Sequence, residues 1–122
     1  MIGSDGIPDD LHPHPRLWGT FPRVLGHYCR EQGVLSLEEA VHRMSGKPAS
    51  VVGLKDRGEI REGAFADLVL FNPKTVIDTA TFDAPETPAK GIERVYVNGQ
   101  MVWSDLAWTG ARPGRRGGRE AA

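Results

Sequence analysis

The hydrophobic period of this chain changes at Gly58, helical before it and alternating after it, and that change restricts the fold more than any single motif. Upstream, Phe21, Val24, Leu25, Tyr28 and Cys29 follow helical spacing and make one apolar stripe. Pro22 is tolerable in a first turn, and Gly33 is placed as a stop. Ser36 and Glu39 form a capping box for a second helix, with Leu37, Ala40, Val41 and Met44 as its buried face and Gly46 at its end. Pro48 opens a short third helix through Val52, closed by Gly53. All three are amphipathic or small, so each needs another layer to cover it.

Downstream, Glu59-Ile60-Arg61-Glu62-Gly63 reads as a short strand and turn, and Ala66–Phe71 as an apolar strand stopped by Asn72-Pro73. Two alternating segments, Glu93–Val97 and Met101–Trp103, flank Asn98-Gly99, the strongest local hairpin signal because both turn positions need positive φ. Thr75 to Gly91 reads as a loop with at most one short strand. The Gly- and Arg-rich tail at 110–122 lacks core-forming residues and reads as mobile unless it docks on a neighbour. Roughly four short strands lie near the lower edge of independent sheet stability.

Charge and cysteine content exclude several functions. With 15 basic and 16 acidic residues among 122, the balance argues against general nucleic-acid or membrane-surface binding. A single cysteine, Cys29, makes no internal disulfide, and no Cys/His spacing resembles a zinc site. No apolar run spans a bilayer and no signal-peptide pattern opens the chain, so the expected location is cytoplasmic.

The chemistry concentrates at the start. Ile2-Gly3 leads into Ser4-Asp5-Gly6, and Arg16 follows eleven residues after Asp5, inside His12-Pro13-His14-Pro15-Arg16. Ser-Asp-Gly reads either as an ordinary turn or as the end of a buried parallel strand, the place where barrel enzymes carry catalytic groups. On the second reading Asp5 takes a proton from a metal-bound water and returns it to a leaving nitrogen. Arg16 is either a solvated loop charge or a planar fork for a substrate carboxylate, held by a proline-stiffened loop. Two histidines without a third ligand make no zinc site, so His12 and His14 receive no role. Cys29 lies on the apolar stripe and reads as core.

Ser4-Asp5-Gly6, the His-Pro-His-Pro-Arg loop, Leu17–Gly26, Leu35–Val41, Gly58–Phe71, Tyr96–Gly99 and Thr109–Arg115 together resemble the C-terminal part of N-acyl-D-amino-acid deacylases (D-aminoacylases). Those are members of the metal-dependent amidohydrolase superfamily. The resemblance implies an α/β fold: the last strand and closing helices of a (β/α)8 barrel at 1–57, then the C-terminal part of a composite β-sandwich at 58–109. It implies hydrolysis of the amide of N-acyl-D-amino acids by zinc-activated water. It implies for Asp5 a place in the metal site as general acid/base, and for Arg16 a grip on the substrate's α-carboxylate. The family's histidine and cysteine zinc ligands lie on earlier strands and have no counterpart here. The chain is therefore expected to be a C-terminal piece, inactive alone, whose partner is a missing N-terminal portion.

Three other readings stay open. A relative acting on cyclic amides, hydantoinase- or dihydroorotase-like, has less use for the Arg16 fork. A non-catalytic β-rich module would fold alone or as a dimer without metal. Contact with nucleic acid through the arginine tail is disfavoured, since the tail lacks interleaved aromatics.

Overall fold

A computed structural model describes residues 1–117. The helical half contains α1 (Arg16–Arg23), which runs without a break into a π-helix (Val24–Glu31), then α2 (Leu37–Met44) and α3 (Gly46–Val52). The second half is one antiparallel sheet of β1 (Leu68–Phe71), β2 (Ile92–Val97), β3 (Gln100–Ser104) and β4 (Ala107–Trp108), in that spatial order. No helix among the described residues is long and apolar enough to cross a membrane.

Helix ends follow the local chemistry. The Ser36 hydroxyl accepts the Glu39 N–H at 3.1 Å, which satisfies one of the free donors at the start of α2. Gly33, at φ 63°, donates to Cys29 O while Val34 donates to Tyr28 O, a paired closure that needs a left-handed residue. The π-helix departs from the expected α stripe. Pro22 removes a ladder N–H, and further on Gln32 N–H reaches back five residues to His27 O at 2.9 Å. The widened turn presents Gly26 to the Val76–Ile77 backbone, where a Cβ would lie 3.0 Å from Ile77 Cα.

Asn98 and Gly99, at φ 49° and 77°, make the two-residue turn between β2 and β3. A second turn of the same kind, at Asp105 and Leu106, adds β4 to the sheet. The segment from 72 to 91 holds a single isolated bridge, Ile77 with Lys90. Two expected strands are absent. Glu59–Gly63 is a bend in which Arg61 pairs with Asp56 and Glu59 and Ile60 is 91% exposed, so side-chain charge pairing organises it instead of a ladder. Residues 1–7 form no strand either. A parallel strand needs flanking strands, and none of the described ones lies beside it; Ile2 instead donates its N–H to Arg43 O and packs on the core.

The core is small: Val24, Leu25, Ala40 and Val76, with Leu35, Leu37, Met44, Phe71 and Ile92 packed around it. Val76, 1% exposed, joins the layers at one end, where Arg30 donates to its carbonyl at 2.6 Å. Beside this core lies an open groove of about 840 Å³, walled by Phe21, Val41, Val52, Leu68, Val69 and Val95. Val69 and Val52 stay about half exposed there, so both layers keep apolar surface that this chain leaves uncovered.

Candidate functional site

The segment from Ser4 to Thr20 builds itself by short-range bonds. Ser4 Oγ accepts the Gly6 N–H at 3.2 Å and leaves Asp5 at φ 53°, a left-handed position an aspartate can hold at modest cost. Gly6 then crosses the start of α1 so closely that a Cβ there would lie 2.9 Å from Leu17 Cα. That crossing carries Asp5 to Arg16, and their side chains meet at 3.3 Å. Asp5 is 88% exposed at its side chain, so the pair is a weak surface interaction.

Arg16 opens α1. Its carbonyl accepts the Thr20 hydroxyl at 2.7 Å and its N–H donates to His14 Nδ1 at 3.0 Å. The guanidinium is unevenly solvated. Nε is sealed from solvent and has no hydrogen-bond partner among the described residues, whereas Nη2 faces Asp5. A buried, unpaired donor costs about 1–3 kcal/mol; a carboxylate in plane would satisfy it together with the neighbouring Nη once the side chain turns Nε out of its seal.

The two carriers of chemistry singled out by sequence thus lie together, with the histidines arranged differently around them. His12 N–H is turned onto Asp10 Oδ1, in an exposed loop. His14 uses Nδ1 on the Arg16 backbone and sets its ring edge-on to Phe82, 4.9 Å between centroids. Sequence reading gave His14 no role; the alternation with proline was the available signal. Among the described residues no group of three His, Cys, Asp or Glu side chains could hold a metal ion. Asp5 alone does not amount to a zinc site.

A second polar cluster is a brace. Arg57 pairs with Asp67, donates to Asn98 Oδ1 at 2.8 Å and lies over the Phe65 ring. Asp67 also accepts the Asn98 N–H at 2.8 Å. Burial works against its ionisation, but the Asn98 amide and the Arg57 guanidinium outweigh it and hold Asp67 below the ordinary aspartate range. Asn98 Nδ2 donates to Pro113 O at 2.7 Å and ties down the start of the tail; Arg119 and the rest of 118–122 lie outside the described residues. Cys29 Sγ rests 3.8 Å from Ser36 O, and burial pushes its thiol up, away from nucleophile behaviour.

The amidohydrolase family model matches residues 1–103. A D-aminoacylase of Alcaligenes xylosoxydans xylosoxydans is 58% identical over 122 residues, all of this chain and 25% of the relative. An N-acyl-D-glutamate deacylase of the same organism is 54% identical over the same span, again 25% of its length. Among solved structures, a D-aminoacylase superposes with a TM-score of 0.89 at 58% identity, over 91% of this chain and 23% of the other. An N-acyl-D-glutamate deacylase from Bordetella bronchiseptica, solved with zinc and a phosphonate mimic of the tetrahedral intermediate, gives 0.84 at 51% identity, over 88% of this chain and 23% of the other. The chain thus spans about a quarter of the length of these relatives.

Proposed function

The chain belongs to the amidohydrolase family, and from that premise we propose that it supplies part of the active site of an enzyme hydrolysing the amide of N-acyl-D-amino acids. The observation that carries the reading is the Arg16 guanidinium, whose Nε has no hydrogen-bond partner among the described residues and whose Nη2 faces the Asp5 carboxylate. Arg16 binds the substrate α-carboxylate in plane. Asp5 accepts a proton from the attacking water and delivers it to the departing nitrogen.

The cofactor in this proposal is zinc, as in the Bordetella structure. This chain's donor set does not hold zinc by itself, since among the described residues no group of three His, Cys, Asp or Glu side chains surrounds Asp5. On this reading the other ligands come from the three quarters of the relatives that the chain does not span. Residues 1–57 are assigned to the closing end of a (β/α)8 barrel and 58–109 to the C-terminal share of a β-sandwich. Their support is the position of the helices, up to Val52, and of the sheet, from Leu68. The proposal places the enzyme in the cytoplasm.

A hybrid tests this directly: the chain replaces the matching quarter of the Alcaligenes D-aminoacylase, and turnover of N-acyl-D-amino acids is measured. Asp5→Asn should lower kcat by about two to four orders of magnitude with little change in substrate binding, the range for lost general acid/base catalysis. A hybrid that turns over while the Asn variant keeps its kcat would remove Asp5 from the chemistry. Preference for a cyclic amide over the open substrate would favour the cyclic-amide reading instead.

A further inference from the structure

α1 is gripped by the segment that follows Val76. Arg23 pairs with Asp78 at 3.5 Å, and Gly19 lies so close to that segment that a Cβ on it would come 3.2 Å from Asp78 Cβ. The loop beyond is closed at its base by the Ile77–Lys90 bridge and by Thr79 Oγ1 donating to Pro88 O at 2.6 Å. Further bonds between Thr81 and Ala84 shape its far side. Phe82 sits on this braced loop, 79% exposed, with its ring against His14 at an interplanar angle of 80°.

His14 in turn touches Arg16. The helix cannot be capped from Pro15, which lacks a polar side chain, and the His14 imidazole takes that part from one position further back. To accept the Arg16 N–H, Nδ1 must carry its lone pair, which leaves the proton on Nε2. The imidazole is therefore fixed by a hydrogen bond on one side and an aromatic edge contact on the other.

We propose that His14 is a positioning residue for Arg16, with Phe82 as its support: together they set the start of α1 and with it the plane in which the guanidinium meets a substrate carboxylate. The proposal rests on the reading of Arg16 given above. It adds that residues from the sheet half of the chain, through Phe82, take part in substrate recognition by the helical half.

The test uses the hybrid enzyme and two substrates, an N-acyl-D-amino acid and the matching N-acyl amine without the carboxylate. His14→Phe keeps an aromatic edge and removes the acceptor. It should raise KM for the carboxylate substrate about 2- to 12-fold, the span of one neutral hydrogen bond, with kcat within about twofold. His14→Asn offers an amide oxygen to the same N–H and should recover most of that loss. Phe82→Ala, an exposed change that leaves the fold alone, should raise KM in the same direction by about threefold, a weak aromatic contact's worth. None of the three should alter kcat/KM on the carboxylate-free amide. In the 122-residue chain itself, the Arg16 amide should exchange with solvent several-fold faster in His14→Phe than in His14→Asn. Equal losses on both substrates, or unchanged amide exchange, would overturn the positioning role. Arg16→Lys, run alongside, separates the two layers: if it too fails to discriminate between substrates, the reading of Arg16 fails and the proposal with it.

Discussion

Replacing Arg16 by lysine in the hybrid keeps the charge and removes the fork. The structure sets what is lost. Nε is sealed and has no partner among the described residues, Nη2 lies 3.3 Å from Asp5, and a carboxylate seated in plane, with Nε turned out of its seal, would take both kinds of donor. An ammonium offers donors from one atom and keeps one of those bonds. The deficit is thus one charge-assisted hydrogen bond, about 1.5–3 kcal/mol, or roughly 10- to 150-fold in kcat/KM. The assay is a two-by-two comparison of enzyme variant against presence of the α-carboxylate. The loss should be confined to the carboxylate substrate, and the neutral N-acyl amine should be poor with both enzymes. Equal losses would mean that Arg16 shapes the loop and reads nothing.

Two further substitutions test the fold that carries the site. Gly26→Ala should destabilise the chain by about 1–3 kcal/mol in urea unfolding, because its Cβ would press on the Val76 carbonyl and the Ile77 backbone, which cannot swing away; an unchanged midpoint would mean the π-helix does not rest on Val76. Asp67→Asn should cost about 1–2 kcal/mol at neutral pH, the charged hydrogen-bond range reduced for partial exposure. Because the folded state holds Asp67 below its ordinary pKa, its contribution is complete above about pH 4 and is lost as pH falls through the folded value. The wild type should therefore lose stability on that acid limb more steeply than Asp67→Asn, and parallel limbs would contradict the assignment.

Local chemistry made several elements legible in advance. Gly33, Gly53 and Asn98-Gly99 each state their own geometry, and each is found in it; of the Ser36–Glu39 capping box the Ser36 hydroxyl makes its half, while the Glu39 carboxylate pairs with Arg43 instead. The π-helix was not legible, since over eight residues its apolar spacing resembles an α stripe and only the packing of Gly26 on Val76 separates them. β4 escaped notice because its turn places Leu106 at φ 66°, where leucine gives no turn signal. Glu59–Gly63 looked like a strand because its alternation is real, but the alternating charges pair with Asp56 and each other across a bend. For the site, the residues themselves leave Asp5 as either a turn residue or a strand-end acid/base, and Arg16 as either a loop charge or a carboxylate fork. Their approach depends on Gly6 crossing Leu17, a packing detail with no sequence period.

Arg16 and Asp5 differ in how they are held, and the difference bears on how such a site is assembled. The Arg16 backbone is fixed by neighbours within four residues, through His14 Nδ1 and Thr20 Oγ1, and α1 is then clamped from a distance by Asp78 and Ala80. Short-range closures of this kind carry little loop entropy, so the backbone from which the Arg16 side chain extends is set by the chain's own sequence. Asp5 has no such frame. Its backbone is held by the Ser4–Gly6 turn, but its carboxylate is almost fully exposed and meets one half-buried guanidinium. A general base needs a fixed direction within hydrogen-bond reach of its proton. On the proposed function, this chain brings the backbone seat of the substrate-binding arm, while the Asp5 carboxylate would acquire its direction from the metal site it helps to complete.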